Sequence, residues 1–343
     1  MLFSKIATEA VTTYVKAKVT RAIDRKASVT SQPEQIYARV EASIDRHLRD
    51  VSAWGARMQF YGMSRGEETD GATIPLRFHT EPRRFRSIDA AEIYRESDVL
   101  TAGSNYLLLG DPGAGKTTAL KRLANLLLTS PASSLGDTLQ FPIVLRLREF
   151  GDGTSLFDEI ANVFGVRADD FKPGTAEWWQ QGQKWVGDVR FETAVAELLD
   201  ATCAVVLIDG LDETSRALRG HLERDLEQLV RGLRTAKIVV SCRTGDYTTL
   251  IEGFDVIEIA SLDDNEILQI SSAWLADPAS FRDQLHQLPY KDIADRPLLL
   301  TQLLFIYRRY GYLPEQPNQV YKKVVALLLH EWDAERRITR TSR

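Results

Sequence analysis

Apolar residues in the first 60 positions recur at the spacing of an α-helix. The apolar face of a first helix would hold Leu2, Ile6, Ala10, Val11, Tyr14 and Val15. The segment 28–33 interrupts this pattern, and a second helix is predicted from about Pro33. Its apolar face would hold Ile36, Val40, Ile44, Leu48 and Val51. Residues 1–60 are therefore predicted to form an N-terminal helical region. Its basic first helix is expected to pack on a neighbouring helix rather than on a membrane or nucleic acid.

Residues 61–100 show a mixed pattern with little regular structure. Apolar and polar residues alternate from Thr73 to Phe78, which predicts one short strand. The stretch from Glu81 to Arg84 contains a proline and is typical of a turn. We expect residues 61–100 to act as a connector into the next domain.

Short apolar runs alternate with helical patterns from residue 105 onwards. The apolar runs predict strands at Tyr106–Leu109, Phe141–Leu147, Ala204–Ile208, Lys237–Ser241 and Val256–Ile259. Helical spacing predicts helices near 116–128, 156–164, 191–199, 213–233 and 263–276. Uninterrupted apolar strands between helices are typical of a parallel sheet that is covered on both faces. The fold class is therefore predicted as α/β.

Two later stretches differ from this alternation. Residues 165–190 have no usable period, and the tryptophans in them are predicted to pack locally rather than to form a ligand platform. These tryptophans are Trp178, Trp179 and Trp185. From 287 to 336 the pattern is helical throughout, which predicts a C-terminal helical subdomain within residues 263–343.

The sequence G-D-P-G-A-G-K-T at 110–117 directly follows one predicted strand and begins a predicted helix. In this context the motif binds phosphate, because its glycines let the backbone turn sharply and point N–H groups inward. The helix N-terminus adds a partial positive charge. Lys116 is placed to reach the β- and γ-phosphates, and Thr117 to ligate Mg²⁺. The predicted nucleotide-binding residues are Gly110, Asp111, Pro112, Gly113, Ala114, Gly115, Lys116, Thr117 and Thr118.

A second motif, V-V-L-I-D-G-L-D-E at 205–213, ends another apolar strand. Asp209 would hold a carboxylate rigidly where a magnesium ion needs an oxygen, so Thr117 and Asp209 are the predicted metal-binding residues. Beyond the strand, Asp212 or Glu213 could polarise an attacking water, and the sequence leaves both open. A helix N-terminus that is merely rich in acids would give the same pattern.

Arginines follow two other predicted strands. Ligands of parallel sheets bind at the carboxyl ends of the strands, so Arg243 is predicted to project into that crevice and contact a γ-phosphate. Arg243 therefore joins Asp212 and Glu213 as a candidate catalytic residue. Arg148 is a weaker candidate for the same contact. Residues 101–262 are accordingly predicted to be the nucleotide-binding domain.

Composition narrows the choice of partners. A net charge of −5 and a pI of about 5.7 give no global electrostatic argument for nucleic acid. No apolar stretch is long enough to span a bilayer, and the N-terminus lacks an apolar signal region. Cys203 and Cys242 are predicted to be reduced core residues of a cytoplasmic protein. The scattered His47, His79 and His221 are predicted to lie at the surface, and no metal beyond Mg²⁺ is indicated.

Together these segments resemble the NACHT family of STAND NTPases. The resemblance rests on GDPGAGKTT at 110–118, FPIVLRLREF at 141–150, VVLIDGLDE at 205–213, IVVSCR at 238–243, RPLLL at 296–300 and YKKVVALLLHEW at 321–332. It covers about 100–335. The region around 40–85 is similar, more loosely, to the segment that precedes the NACHT domain in bacterial members.

The resemblance implies an ASCE-type P-loop domain with a parallel five-stranded sheet of order 5-1-4-3-2. It implies ATP or ADP with Mg²⁺, and it places Pro297 against the adenine, although proline also suits the first turn of a helix. No N-K-x-D guanine-reading tetrapeptide occurs, which favours ATP over GTP. In the family, ADP holds a closed monomer, and ATP opens protomers that self-associate and activate an N-terminal effector. Bacterial members act in defence against phage.

The family pattern includes further domains that the sequence does not show. A winged-helix domain and a sensor domain would be expected after the helical subdomain, and neither is recognised before Arg343. The chain is therefore either a fragment or a shortened member with a separate sensing partner. No nuclease, protease or TIR-like arrangement is recognised in the first 100 residues, so the phage or cellular trigger and the effector activity stay open.

The predicted function is thus a slowly hydrolysing ATP/ADP switch of NACHT type in prokaryotic antiviral defence, which oligomerises on activation. Three rivals belong to other classes. The first is an AAA-like ATPase that turns over continuously to do work. The second is a small-molecule P-loop kinase in which 178–185 shapes an acceptor site. The third is an interaction module that binds nucleotide without turnover.

Overall fold

The computed structural model describes residues 13, 15–21, 33–58, 67–69, 73–82, 93–130, 140–171, 176–180, 183–187, 191–247 and 250–335. Its helices are α1 (Pro33–Ala56), α2 (Glu96–Thr101), α3 (Lys116–Thr129), α4 (Leu156–Phe164), α5 (Phe191–Ala201), α6 (Arg216–Gly232), α7 (Asp264–Trp274), α8 (Pro278–His286), α9 (Pro297–Tyr310) and α10 (Pro317–Glu335). The strands of the main sheet are β1 (Arg77–His79), β2 (Ile93–Arg95), β3 (Asn105–Gly110), β4 (Phe141–Arg146), β5 (Ala204–Asp209), β6 (Lys237–Arg243) and β7 (Phe254–Ile259).

The main sheet has seven strands in the order β2-β1-β7-β3-β6-β5-β4. Strands β7, β3, β6, β5 and β4 pair in parallel, and numbered by themselves along the chain they give the expected order 5-1-4-3-2. Their side chains are almost all buried, as the uninterrupted apolar runs require. The predicted α/β class and its five parallel strands are confirmed.

Two antiparallel strands extend this sheet at one edge. β1 pairs antiparallel with β7, and β2 pairs antiparallel with β1. The strand predicted at 73–78 is observed only at Arg77–His79, because residues 73–76 lie outside the sheet. The backbone N–H of Leu76 donates to the Glu96 carboxylate at 3.0 Å instead of to a neighbouring strand. The predicted connector therefore contributes directly to the nucleotide domain's sheet.

Other predicted elements differ mainly at their ends. The helix expected near 213–233 begins at Arg216, since residues 211–213 form a short 3₁₀ turn and the Ser215 hydroxyl caps the helix by accepting from the Leu218 N–H. The stretch without a usable period contains two short paired strands, Ala176–Gln180 with Gln183–Gly187. Strands of this length in mixed polar sequence leave no clear period-two signal. A further antiparallel pair joins Arg57–Met58 to Glu67–Glu68.

The buried apolar side chains form two clusters. One lies around the main sheet and includes α1, and the other lies within α7 to α10. Ile74 and Leu262 belong to the second cluster, whereas Leu76 belongs to the first. The segment 73–76 therefore runs from the core of the nucleotide domain to the core of the helical subdomain.

The N-terminal helices pack on the nucleotide domain. Val15 and Val19 of the helical residues 15–21 are buried, and Lys16 pairs with Glu41 and Asp45 of α1 at 2.9 and 3.1 Å. The first helix thus packs on a neighbour, as predicted, although residues 1–12 lie outside the described part. α1 in turn packs on α3, α4 and β4.

His47 does not lie freely at the surface as predicted. Its ring packs edge-on against Phe141 and its Nε2 lies 3.3 Å from the carbonyl oxygen of Pro142. Burial lowers the pKa of His47 to about 4, so the ring is neutral in the folded protein. His79, also predicted at the surface, is half-buried in β1, whereas His221 is exposed on α6 as predicted.

The two cysteines are free. Cys242 is buried in β6, while Cys203 is only half-buried and has a positive φ of 49° in the turn before β5. Only Cys242 is therefore a core residue. Within the ranges given above, none of the helices is both long and apolar enough to cross a bilayer.

Candidate functional site

The glycine-rich loop joins β3 to α3 at the carboxyl edge of the parallel strands. Gly113 and Gly115 have φ of +81° and +101°, which residues with a Cβ adopt only with strain. The N–H of Ala114 donates to the Asp111 carbonyl at 3.0 Å and closes the turn. The loop therefore depends on glycine at two of the positions predicted to bind nucleotide.

Lys116 folds back over this loop. Its Nζ donates to the Gly110 carbonyl at 2.8 Å and lies 3.5 Å from the Asp111 carbonyl. Burial lowers the pKa of Lys116, an effect that the Asp212 carboxylate partly offsets. A partly desolvated ammonium that donates to carbonyl oxygens can gain a stronger, charge-assisted bond from a phosphate.

Asp209 lies at the end of β5 with both carboxylate oxygens in hydrogen bonds. The Thr117 hydroxyl donates to Oδ2 at 2.9 Å, and the Ser241 hydroxyl donates to Oδ1 at 2.9 Å. Ser241 is fully buried and accepts from the Gly210 N–H at 2.9 Å, so its orientation is fixed. Hydroxyl and carboxylate oxygens this close are the hard ligands that Mg²⁺ prefers, and the pair Thr117 and Asp209 fits that ion.

Asp212 and Glu213 have different surroundings, although the sequence could not separate them. The Asp212 side chain is 3% exposed; it accepts from the Arg243 N–H at 2.9 Å and pairs with Arg243 Nε at 2.8 Å. Glu213 is exposed and lies over Gly210, where an added Cβ would come within 3.1 Å of its Cδ. Asp212 thus holds Arg243, and Glu213 keeps a carboxylate available to the cleft.

The first turn of α9 lies directly on the loop. The Leu298 N–H donates to the Gly113 carbonyl at 3.2 Å, and Pro297 lies beside Gly115. Arg296 pairs with Asp111 at 3.1 Å. The helical subdomain therefore contacts the phosphate loop through backbone and side chain.

These groups surround a cleft of about 610 Å³. The predicted residues that line it are Pro112, Gly113, Gly115, Lys116, Thr117, Thr118, Arg148, Asp209, Asp212, Glu213, Arg243 and Pro297. Gly110 is not among its lining residues, and Asp111 and Ala114 line a second cavity of about 580 Å³ on the Arg296 side of the loop. The structure thus brings together most of the predicted site.

The apolar side of the cleft contains residues that the sequence does not identify as part of the site. It is formed by Thr73, Ile74, Leu76, Leu262, Ile270, Leu298 and Thr301. A mostly apolar wall opposite a phosphate-binding loop suits an aromatic base. The alternation from Thr73 to Phe78 predicts a short strand, but a single sequence does not show which elements pack against it.

One protein family matches about half of the chain. A family model described as the NACHT domain matches residues 104–278. No protein with curated annotation matches the chain.

Three similar solved structures have low sequence identity to this chain. One is a signal transduction ATPase with numerous domains (STAND) and a tetratricopeptide repeat sensor from Pyrococcus horikoshii, at 14% identity and TM-score 0.38, covering 67% of this chain and 31% of that one. A Walker-type ATPase of Pyrococcus abyssi aligns at 14% identity and TM-score 0.38 over 71% and 74% of the two chains. A point variant of Thermotoga maritima RuvB aligns at 14% identity and TM-score 0.32 over 65% and 61%. The present chain spans about a third of the STAND protein's length.

Proposed function

This chain belongs to the NACHT family, and we propose that it is an ATP/ADP-binding switch that hydrolyses ATP slowly. The observation that carries the proposal is the hydrogen bond from the Leu298 N–H to the Gly113 carbonyl, which joins the helical subdomain to the phosphate loop. A nucleotide in the cleft would contact both parts. Because ADP and ATP differ at the terminal phosphate, they can favour different angles between these parts through their differential contacts.

Each candidate residue has one role in this proposal. The loop amides and Lys116 bind the phosphates, and Thr117 and Asp209 hold Mg²⁺. When bound, the metal neutralises charge on the phosphate oxygens. Glu213 orients and deprotonates the attacking water, and Arg243, held by Asp212, binds the γ-phosphate. Pro297 and the apolar wall receive the adenine.

The wider role follows from the resemblance to bacterial members of the family. In it, ADP keeps the protein as a closed monomer in the cytoplasm, and a phage or cellular trigger allows exchange for ATP. The opened protomers then self-associate in antiviral defence. The apolar contacts between the subdomain and the segment 73–76 support a closed form of this kind, since they would have to slide or separate on opening.

Mass spectrometry of nucleotide released from the purified protein tests the switch. The expected result is bound ADP, with ATP hydrolysis slower than about one turnover per second. Lys116→Ala should release the nucleotide and, at equal protein level, abolish protection in a plaque assay. Continuous rapid turnover would instead support an AAA-like ATPase that does work. Phosphate transfer to an acceptor would support a small-molecule kinase. Absence of affinity for both ADP and ATP would contradict the proposal outright.

A further inference from the structure

Glu96 and Arg122 form an ion pair inside the nucleotide domain. Arg122 Nε lies 2.6 Å from Glu96 Oε1, and the guanidinium also donates to Oε2 at 3.1 Å. Glu96 is 4% exposed and Arg122 8%. Burying two charges costs desolvation free energy that their attraction only roughly offsets, so stability alone is a weak reason for this pair.

Both charged groups also hold the segment 73–76. Glu96 Oε1 accepts from the Leu76 N–H at 3.0 Å, and an Arg122 terminal nitrogen donates to the Thr73 hydroxyl at 3.1 Å. The Thr73 hydroxyl donates in turn to the Thr69 carbonyl at 2.6 Å. The pair thus fixes both ends of a segment that lies outside the sheet.

This segment is part of the cleft. Thr73, Ile74 and Leu76 line its apolar side, together with Ile270 and Pro297 of the helical subdomain. Arg122 lies on α3, the helix that begins at Lys116, and does not itself line the cleft. The ion pair therefore ties the apolar wall to the same helix that carries the phosphate-binding lysine.

The same network reaches the N-terminal region. The Thr69 hydroxyl donates to the Gly55 carbonyl near the end of α1 at 2.6 Å, and Asn125 of α3 donates to that carbonyl at 3.1 Å. Hydrogen bonds thus run from α1 through Thr69 and Thr73 to Arg122. The wall is held from the N-terminal helical region as well as from α3.

We propose that Glu96 and Arg122 are positioning residues that set the base-binding wall at its correct distance from the phosphate loop. The inference rests on the proposed nucleotide binding. It adds that one set of residues positions the base-binding wall and another set binds the phosphates. Loss of the pair should weaken binding of the adenosine part of a nucleotide while leaving binding of its phosphates intact.

The test compares ADP with pyrophosphate, which has the same number of phosphates and no base. Calorimetry is run in the presence of Mg²⁺ on the full chain and on the double variant Glu96→Leu with Arg122→Met. Replacing both partners by apolar residues avoids leaving one charge buried and often preserves folding. The matched control is Glu252→Leu with Arg231→Met, which removes an exposed ion pair outside the cleft.

In the double variant the Kd for ADP should rise about tenfold, and that for pyrophosphate should stay within about twofold of the wild-type value. The control should change neither. A parallel loss of ADP and pyrophosphate binding would overturn the inference, since it would mean general damage to α3. So would a folded double variant with unchanged ADP affinity.

A second variant covers the case in which the double variant does not fold. Thr73→Val removes the hydroxyl that Arg122 holds and leaves the ion pair in place, and it should shift the ADP-to-pyrophosphate ratio in the same direction. An unchanged ratio would then overturn the positioning role. A wild-type protein that binds neither probe would overturn the proposed function, and the positioning role with it.

Discussion

At the scale of single residues, hydrogen bonds hold both oxygens of the Asp209 carboxylate. Hydroxyls from α3 and β6 hold its two oxygens, and one of these, Ser241, is itself held by the Gly210 N–H. A carboxylate fixed in this way loses little conformational entropy when it takes part in metal binding. Ser241 is therefore expected to act on Mg²⁺ through Asp209.

Ser241→Ala should weaken Mg²⁺-dependent ADP binding about tenfold, because Asp209 loses one fixed partner and the Gly210 N–H is left buried without its acceptor. Binding measured with a chelator present should change much less. Ser272→Ala, at an exposed serine of α7, is the control. Equal loss with and without Mg²⁺ would argue against this role.

Glu213→Gln should keep ATP affinity and slow single-turnover hydrolysis about a hundredfold, since an amide cannot accept the water's proton. Asp212→Asn should instead alter the γ-phosphate contact by releasing Arg243, and so weaken ATP binding more than ADP binding. Rapid-quench hydrolysis and calorimetry on both variants distinguish the two acids. If the Glu213→Gln variant hydrolyses ATP at the wild-type rate, Glu213 is not the general base.

The sequence predicted the residues whose chemistry comes with a fixed spacing. Lys116, Thr117 and Asp209 follow apolar strands in recognisable motifs, and the structure brings them together. Asp212 and Glu213 are adjacent acids in one motif, so only hydrogen bonds in three dimensions separate them. Ser241 could not be assigned, because a serine in an apolar strand carries no signal for its partner.

At the scale of secondary-structure elements, α1 carries a half-buried histidine ring against β4. His47 has a pKa of about 4 when folded, below its ordinary 6.5, mainly through burial and despite the Pro142 carbonyl and Asp50. The unfolded chain therefore binds the proton more tightly than the folded one. The free energy of unfolding should fall as the pH drops from about 6.5 to about 4, by up to roughly 3 kcal/mol.

His47→Gln should flatten this pH dependence, since glutamine can still donate to the Pro142 carbonyl but does not titrate. Urea unfolding between about pH 7 and pH 4.5 measures the slope for each protein. Ser272→Ala, at an exposed position of α7, is the control and should leave the slope unchanged. If the His47→Gln variant keeps the wild-type pH dependence of the free energy of unfolding, His47 is not the group that causes it.

The contact between the loop and α9 depends on the absence of a side chain at Gly113. A Cβ there would lie 2.9 Å from the Leu298 Cβ, and the φ of +81° adds backbone strain. Gly113→Ala should therefore lower stability by about 1–3 kcal/mol and displace the start of α9. Gly220→Ala, inside α6 with open space around it, should raise stability slightly. Thermal unfolding of the two variants should shift in opposite directions.

Long, buried strands could be located from the sequence pattern more accurately than short strands at the edge of the sheet. The five parallel strands are long apolar runs, and each was located to within a few residues. β1 and β2 have three residues each and pair at an edge, so alternation over so short a stretch could not define them.

At the scale of the whole molecule, two arginines, Arg77 and Arg296, form ion pairs between the helical subdomain and the nucleotide domain. Arg77 of β1 donates to both oxygens of Glu266 of α7 at 2.7 and 2.6 Å, and Arg296 pairs with Asp111. The Arg77 pair is bidentate and half-buried, which makes it the stronger of the two. We expect it to slow the separation of the two parts.

Arg77→Met should speed ADP release about fivefold, because the subdomain that covers the nucleotide opens more often. Stopped-flow fluorescence with a labelled ADP measures that rate. Arg231→Met removes an exposed pair and should leave the rate unchanged. If both variants release ADP at the wild-type rate, the ion pair does not control opening.

Overall topology was predictable from the alternation of strands and helices, but the role of residues 61–100 was not. They are predicted to be a connector, yet they supply two strands of the main sheet, part of the apolar wall of the cleft and part of the second core. These contacts are all long-range, and a local pattern carries no information about distant partners.

Ile74 precedes the phosphate loop in sequence but is buried among helices that follow it. During synthesis this residue leaves the ribosome long before its partners exist, so its apolar side chain must stay exposed until α7 to α9 have been made. We therefore expect the second core to close late and the nascent chain to expose aggregation-prone apolar surface until then.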